Sequence, residues 1–123
     1  MIKVAIIDDE LEVLTMLERL ISREKNVEVR VFSNPLNAID EIKAGVFDLI
    51  FLDIVMSQID GLVLLKEIRA NTTKTKVIMM TAHSNLNRVL ESHQIGANDF
   101  LIKPFKNLKD ISDKLPSYLK GCE

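Results

Sequence analysis

Four short apolar runs, Ile2 to Ile7, Leu49 to Leu52, Val77 to Met80 and Phe100 to Ile102, pass through this chain with almost no polar interruption. A strand that shows one face to water alternates apolar and polar residues, whereas a strand covered on both faces does not. These runs therefore call for helices on both sides of a sheet, which parallel strands obtain from their crossover connections. A fifth run is different: Val27-Glu28-Val29-Arg30-Val31 alternates, up to Phe32, and suits a half-exposed edge.

The segments between the runs have helical period. Leu11, Leu14, Leu17, Leu20 and Ile21 mark one side of a first helix. A second takes Asn34 as N-cap and Pro35 as its first residue, turns Leu36, Ile39 and Ile42 inward, and stops at Gly45. Asp60 caps a third, with Leu62, Leu65 and Ile68 inward and Val63 and Leu64 expected on the exposed side. Ser84 caps a fourth that carries Leu86, Val89 and Leu90 and ends at Gly96. Asn107 opens a fifth with Leu108, Ile111 and Leu115, which Pro116 should end or kink, because it has no N–H to donate to Ser112. Five β-α units in series imply an α/β fold of the doubly wound kind, with right-handed crossovers around one parallel sheet.

A chain of 123 residues, 47% of them apolar, has the size and core of one domain, expected to span residues 1–123. Its 18 acidic and 16 basic residues are interspersed, which speaks against nucleic acid or an anionic membrane as a partner. The single cysteine, Cys122, allows no intrachain disulfide and suits a reducing compartment. No run approaches the roughly 20 apolar residues of a membrane span, so a cytoplasmic protein is expected.

Open parallel sheets bind ligands at the carboxyl ends of their strands, where the strand order reverses. Standing at those ends are Asp8, Asp9 and Glu10 after the first strand, Asp53 after the third, Thr81 after the fourth, and Lys103 and Pro104 after the fifth. Taken singly, each has a plain structural reading: caps and turns for the aspartates and the threonine, a solvated amine for the lysine. Together on one rim, Asp8, Asp9 and Asp53 would repel one another and raise their own pKa values unless a cation shared them. Magnesium suits such a set, because it takes one or two carboxylates, keeps waters, and leaves a position for a phosphate oxygen.

The segments "IIDDE" (Ile6 to Glu10), "FLDIVMSQIDG" (Phe51 to Gly61), "MMTAH" (Met79 to His83) and "GANDFLIKPF" (Gly96 to Phe105), in this order and spacing, resemble the receiver domain of two-component response regulators, particularly the stand-alone, chemotaxis-regulator-like kind. The resemblance covers almost the whole chain. It implies a flavodoxin-like sandwich, a five-stranded parallel sheet in the order 2-1-3-4-5 with five helices. It implies Asp53 as phosphoacceptor, supplied by the phosphohistidine of a sensor histidine kinase or phosphotransfer protein in a two-component phosphorelay. Asp9 resembles the direct Mg2+ ligand and Asp8 a ligand through water, with Asp53 and the backbone carbonyl of Val55 completing the protein's share; Mn2+ can stand in. Lys103 resembles the lysine that pairs with Asp53 and then with the phosphoryl group, and the Lys103-Pro104 peptide is expected to be cis. Thr81 resembles the switch hydroxyl and Phe100 the aromatic that follows it, so that the face of the fourth helix, fifth strand and fifth helix changes its partner preference. As a fixed core aromatic, Phe100 has an equally plain reading.

The chain also departs from the family pattern. Ser57 stands where proline is usual, and Val55 and His83 occupy the positions that tune the lifetime of the phosphoryl group. Valine cannot hold water by hydrogen bonding, whereas histidine can. Pro116, close to Tyr118, shortens a surface used for docking, which leaves a monomer or a weak homodimer. The resemblance implies a signalling phosphoacceptor with its own Mg2+-dependent self-phosphorylation and autodephosphorylation chemistry, rather than an enzyme. A binding module that keeps the fold without phosphorylation would not need Asp8, Asp9, Asp53, Thr81 and Lys103 together. An aspartyl phosphatase of the haloacid-dehalogenase kind would carry a second acid where Val55 stands, and a flavin site would want Ser, Thr and Gly after the first strand rather than three acids.

Overall fold

The computed structural model describes residues 1–122, and its elements follow the expected alternation. Strands β1 (Ile2–Ile7), β2 (Val27–Phe32), β3 (Leu49–Asp53), β4 (Lys76–Ala82) and β5 (Asp99–Lys103) are separated by helices α1 (Leu11–Ile21), α2 (Ile39–Lys43), α3 (Gly61–Asn71) and α4 (Asn87–Ile95), and α5 (Leu108–Leu119) closes the series. The sheet is parallel throughout, in the order β2-β1-β3-β4-β5, with the alternating strand at an edge as its sequence demanded. It is the flavodoxin-like doubly wound arrangement. Among the described residues no helix is long and apolar enough to cross a membrane.

Strand side chains point alternately to the two faces of the sheet, and each face has its own core. Val4, Ile6, Leu49, Phe51, Ile78 and Met80 pack with α1 and α5, while Ala5, Ile7, Ile50, Leu52, Val77 and Met79 pack with α2 and α3. This double coverage explains the uninterrupted runs of β1, β3 and β4, but not that of β5, which lies at the other edge of the sheet with Leu101 alone of its residues buried. Three of the expected caps form: Asn34, Asp60 and Asn107 accept the backbone N–H of Leu36, Leu62 and Lys109 at 3.0, 2.8 and 3.0 Å.

Other expectations are corrected. Pro35 opens a 3-10 turn (Pro35–Asn37) rather than the helix itself, and its three-residue period leaves Leu36 exposed. A second 3-10 turn (His83–Asn85) precedes α4, so Ser84 does not cap that helix, and Leu86 and Leu90 are exposed. Only Ser92 of α4 is buried, which leaves this helix thinly packed. Leu11 lies at the start of α1, beyond the core, and forms a surface groove with exposed Leu108. Leu64 is buried, not exposed, because α3 is flanked by α2 and α4 as well as seated on the sheet; Val63 alone faces out. Pro116 does not end α5, which continues to Leu119. The last turn is held by burial of Tyr118 and Leu119, by a hydrogen bond from the Tyr118 hydroxyl to Asp99, and by Lys76, whose ammonium donates to the carbonyls of Ser117 and Lys120 at 3.0 and 2.5 Å.

Candidate functional site

The chain leaves β1 in one direction to reach β2 and then crosses to β3 on the other side, so the order reverses between β1 and β3. The carboxyl ends of these strands carry Asp8 and Asp53 side by side, since Ile7 is in register with Leu52. Asp53 is in turn opposite Met80, which sets Thr81 one step further along β4, and Thr81 is opposite Ile102, which sets Lys103 at the end of β5. Register alone therefore gathers residues from opposite ends of the chain on one rim.

Asp8 is fully buried and Asp53 is 4% exposed. Asp8 Oδ1 accepts the backbone N–H of Glu10 at 2.8 Å, a turn that sharpens the exit from β1. Asp8 Oδ2 is in ion contact with Lys103 Nζ at 2.6 Å. The same ammonium donates to Glu10 Oε1 at 2.7 Å and stands 3.4 Å from Asp53 Oδ2. Burial pushes the Asp53 carboxyl up to about 7, and the negative charge of Asp8 adds to the rise, outweighing the pull of Lys103. Asp8 is raised as well, again mainly by burial. Burial pulls the Lys103 amine down, yet its contacts with Asp8 and Glu10 and the charge of Asp53 leave it above its ordinary value.

The loop after β3 is folded tightly back on the site. Gly61 donates its N–H to the Ile54 carbonyl at 2.7 Å, and a Cβ at this position would overlap the Asp53 carbonyl and stand 2.7 Å from the Ile54 Cα. Only glycine permits that approach. Asp60, which caps α3, also pairs with Arg88 of α4 at 2.5 Å, so the loop is tied to the thinly packed helix.

Of the residues singled out in the sequence, Asp8, Asp53 and Lys103 come together, and the Lys103-Pro104 peptide is cis. Thr81 is buried at the rim, its hydroxyl donating to the Ala82 carbonyl at 3.3 Å. Asp9 does not join the cluster: it is exposed, and its Oδ2 accepts the backbone N–H of Ser57 at 3.2 Å. The acid that does join is Glu10, since Asp8, Glu10 and Asp53 offer oxygens all within 4.8 Å of one another. No role is legible for Glu10 in the sequence beyond its place after Asp8 and Asp9; only its reach to β5 gives it one. Phe100 is half-buried and lines, with His83, Lys103, Pro104 and the start of α5, a groove of about 500 Å³. Val55 and His83 are exposed. The adjacent carboxylates of Asp8 and Asp53, whose charge burial disfavours, suit a hard divalent cation, whereas Glu10 is engaged by Lys103.

Known proteins share this fold. Residues 4–115 match the family model of the response regulator receiver domain. The chain is 34% identical over 115 residues to the transcriptional regulatory protein ZraR of Escherichia coli, covering 92% of this chain but 26% of that protein. It thus spans about a quarter of the length of that regulator. It is 35% identical over 109 residues to the chemotaxis protein CheY of Listeria monocytogenes, covering 86% of this chain and 89% of that one. The crystal structure of a two-component response regulator from Clostridium difficile superposes with a TM-score of 0.85 at 31% identity and covers 98% of both chains. With the sheet order, the rim of acids and lysine, and the family match in agreement, the chain belongs to the receiver domains of two-component response regulators.

Proposed function

We propose that Asp53 accepts a phosphoryl group from the phosphohistidine of a sensor histidine kinase or phosphotransfer protein, with Mg2+ required, and that the modified domain then signals to a protein partner or output domain. The observation that carries this reading is the position of Asp53: a carboxylate 4% exposed at a strand end, 3.4 Å from a lysine ammonium and beside a second buried acid. Ionised, it can attack phosphorus without a general base. An Asp53 oxygen forms the new bond to phosphorus as the bond from phosphorus to the imidazole nitrogen breaks. The electron pair stays on the imidazole, and the product is an acyl phosphate. The transition state is loose and its charge lies on the equatorial oxygens, so positioning and neutralisation supply most of the catalysis. Lys103 offers the neutralising charge from the protein, and the Thr81 hydroxyl can exchange the Ala82 carbonyl for a phosphoryl oxygen.

Asp8, Asp53 and the Val55 carbonyl would hold Mg2+, or Mn2+ in its place, together with Asp9 released from Ser57. When bound, the cation neutralises the carboxylates and the oxygens of the incoming phosphoryl group. Movement of Thr81 toward that group frees space for Phe100, and the face of α4, β5 and α5 changes with it. Weak packing of α4 favours such a change. Val55 and His83, exposed beside this rim, govern access of water to the acyl phosphate. The domain acts as a signalling phosphoacceptor in the cytoplasm, as a monomer or weak homodimer, with no direct contact to nucleic acid.

Incubation with Mg2+ and acetyl phosphate, followed by intact mass measurement, tests the reading. The wild-type chain is expected to gain one phosphoryl group, and Asp53→Ala none. No gain in the wild type, or an undiminished gain in the variant, would overturn it.

A further inference from the structure

We infer that Glu10 is a positioning residue that holds the Lys103 ammonium against Asp8, at a distance from Asp53, until a phosphoryl group draws it away. Three acids surround the ammonium, and they do not hold it equally. Asp8 Oδ2 and Glu10 Oε1 stand at 2.6 and 2.7 Å, whereas Asp53 Oδ2 stands at 3.4 Å. The ammonium donates to Glu10 Oε1 while in close ion contact with Asp8, so these two acids together hold it off Asp53.

The backbone explains why Glu10 is free to do this. It stands at the N-cap of α1 in an extended conformation, φ −93° and ψ 112°, and its side chain makes no bond to the helix it opens. Capping is common work for a short polar side chain at that position. The longer glutamate instead spans from the first β-α connection to the end of β5. Its exposure is the second part of the device. The Glu10 side chain is 60% exposed, whereas that of Lys103 is 11% exposed. An ion pair with one partner in water is weak and readily exchanged, while the buried Asp8 beneath it is not. The ammonium is thus held by one fixed acid and one releasable acid. Phosphoryl oxygens on Asp53 compete with the releasable one.

The kinetic half of this inference rests on Asp53 being the phosphoacceptor; the structural half rests on the contacts alone. In metal-free protein, the ammonium resonance of Lys103, assigned by its loss in Lys103→Arg, reports the structural half. Glu10→Gln is expected to speed its exchange with water by about threefold or more. Glu12→Gln removes a nearby charge of the same sign that has no contact with Lys103, and should leave the resonance unchanged. With Mg2+ and acetyl phosphate, Glu10→Gln is expected to raise the maximal rate of phosphoryl gain by about three- to tenfold, independently of salt. Glu12→Gln should alter only the donor concentration that gives half of that rate. An unchanged ammonium resonance, or an equal or lower maximal rate, overturns the inference. Failure of the wild type to gain phosphoryl sinks the phosphoacceptor reading instead, and the resonance alone then decides for or against the clamp.

Discussion

Replacing Asp53 with asparagine should stabilise the metal-free protein at alkaline pH and leave it little changed in acid. The folded carboxyl keeps its proton up to about pH 7, whereas in the unfolded chain it gives the proton up near 3.8. Between those values the folded state binds more protons than the unfolded state, so stability falls as pH rises through the window and levels off above it. The interval is about three pH units, and about 1.4 kcal/mol for each sets a ceiling of about 4 kcal/mol on the cost of ionising Asp53. Asparagine removes that cost and eases Asp8, but it gives up the attraction of Lys103 at 3.4 Å. The expected net gain is about 2 kcal/mol at about pH 8 and near zero at about pH 4, where both side chains are neutral. Urea unfolding followed by circular dichroism suits a chain without tryptophan, in chelator to keep cations out. Added Mg2+ should restore part of the alkaline stability of the wild type and much less of the variant. Wild-type stability that is flat from acid to alkaline pH, with no advantage for Asp53→Asn at the upper end, would refute the burial argument.

Three further substitutions probe how the site and the rest of the fold are built. Gly61→Ala should cost about 3 kcal/mol in urea unfolding, because its Cβ would overlap the Asp53 carbonyl. Gly45→Ala, at φ +70° with open space around it, meets only backbone strain and should cost about 1 kcal/mol. The protein has one tyrosine, so phenolate absorbance reports Tyr118 alone. Burial first, and then the hydrogen bond to Asp99 and its charge, push that phenol above its ordinary range. Tyr118 should therefore titrate later than free tyrosine, and Tyr118→Phe should cost about 1 kcal/mol of stability. An ordinary titration would show that the Asp99 contact does not persist in solution.

Much of this protein is legible from local chemistry alone, without its long-range contacts. The uninterrupted run of Leu49 to Leu52 required cover on both faces, the alternation of Val27 to Val31 required an edge, and both requirements are met. Asn34, Asp60 and Asn107 cap as their types suggest, because capping depends on only two or three neighbouring residues. Helical period was less reliable at element ends. Leu11, Leu36, Leu86 and Leu90 fit an inward stripe on paper, yet they lie in first turns, 3-10 turns or a helix with little to pack against. Pro116 shows the same limit from the other side: the missing donor is a local cost, and Tyr118, Leu119 and Lys76 offset it through contacts made far along the chain.

The sequence by itself determined the layer architecture, one of the two edge strands and the identity of the residues that stand at the strand ends, since these follow from side-chain period and local turn chemistry. Only the tertiary structure decided how the rim acids divide their partners. Asp9 and Glu10 are adjacent acids, and nothing in their order says that one takes the Ser57 N–H while the other reaches Lys103. That division depends on the register of four strands and on the direction in which the backbone leaves β1, which places an ammonium 93 residues away within 2.7 Å of one glutamate oxygen.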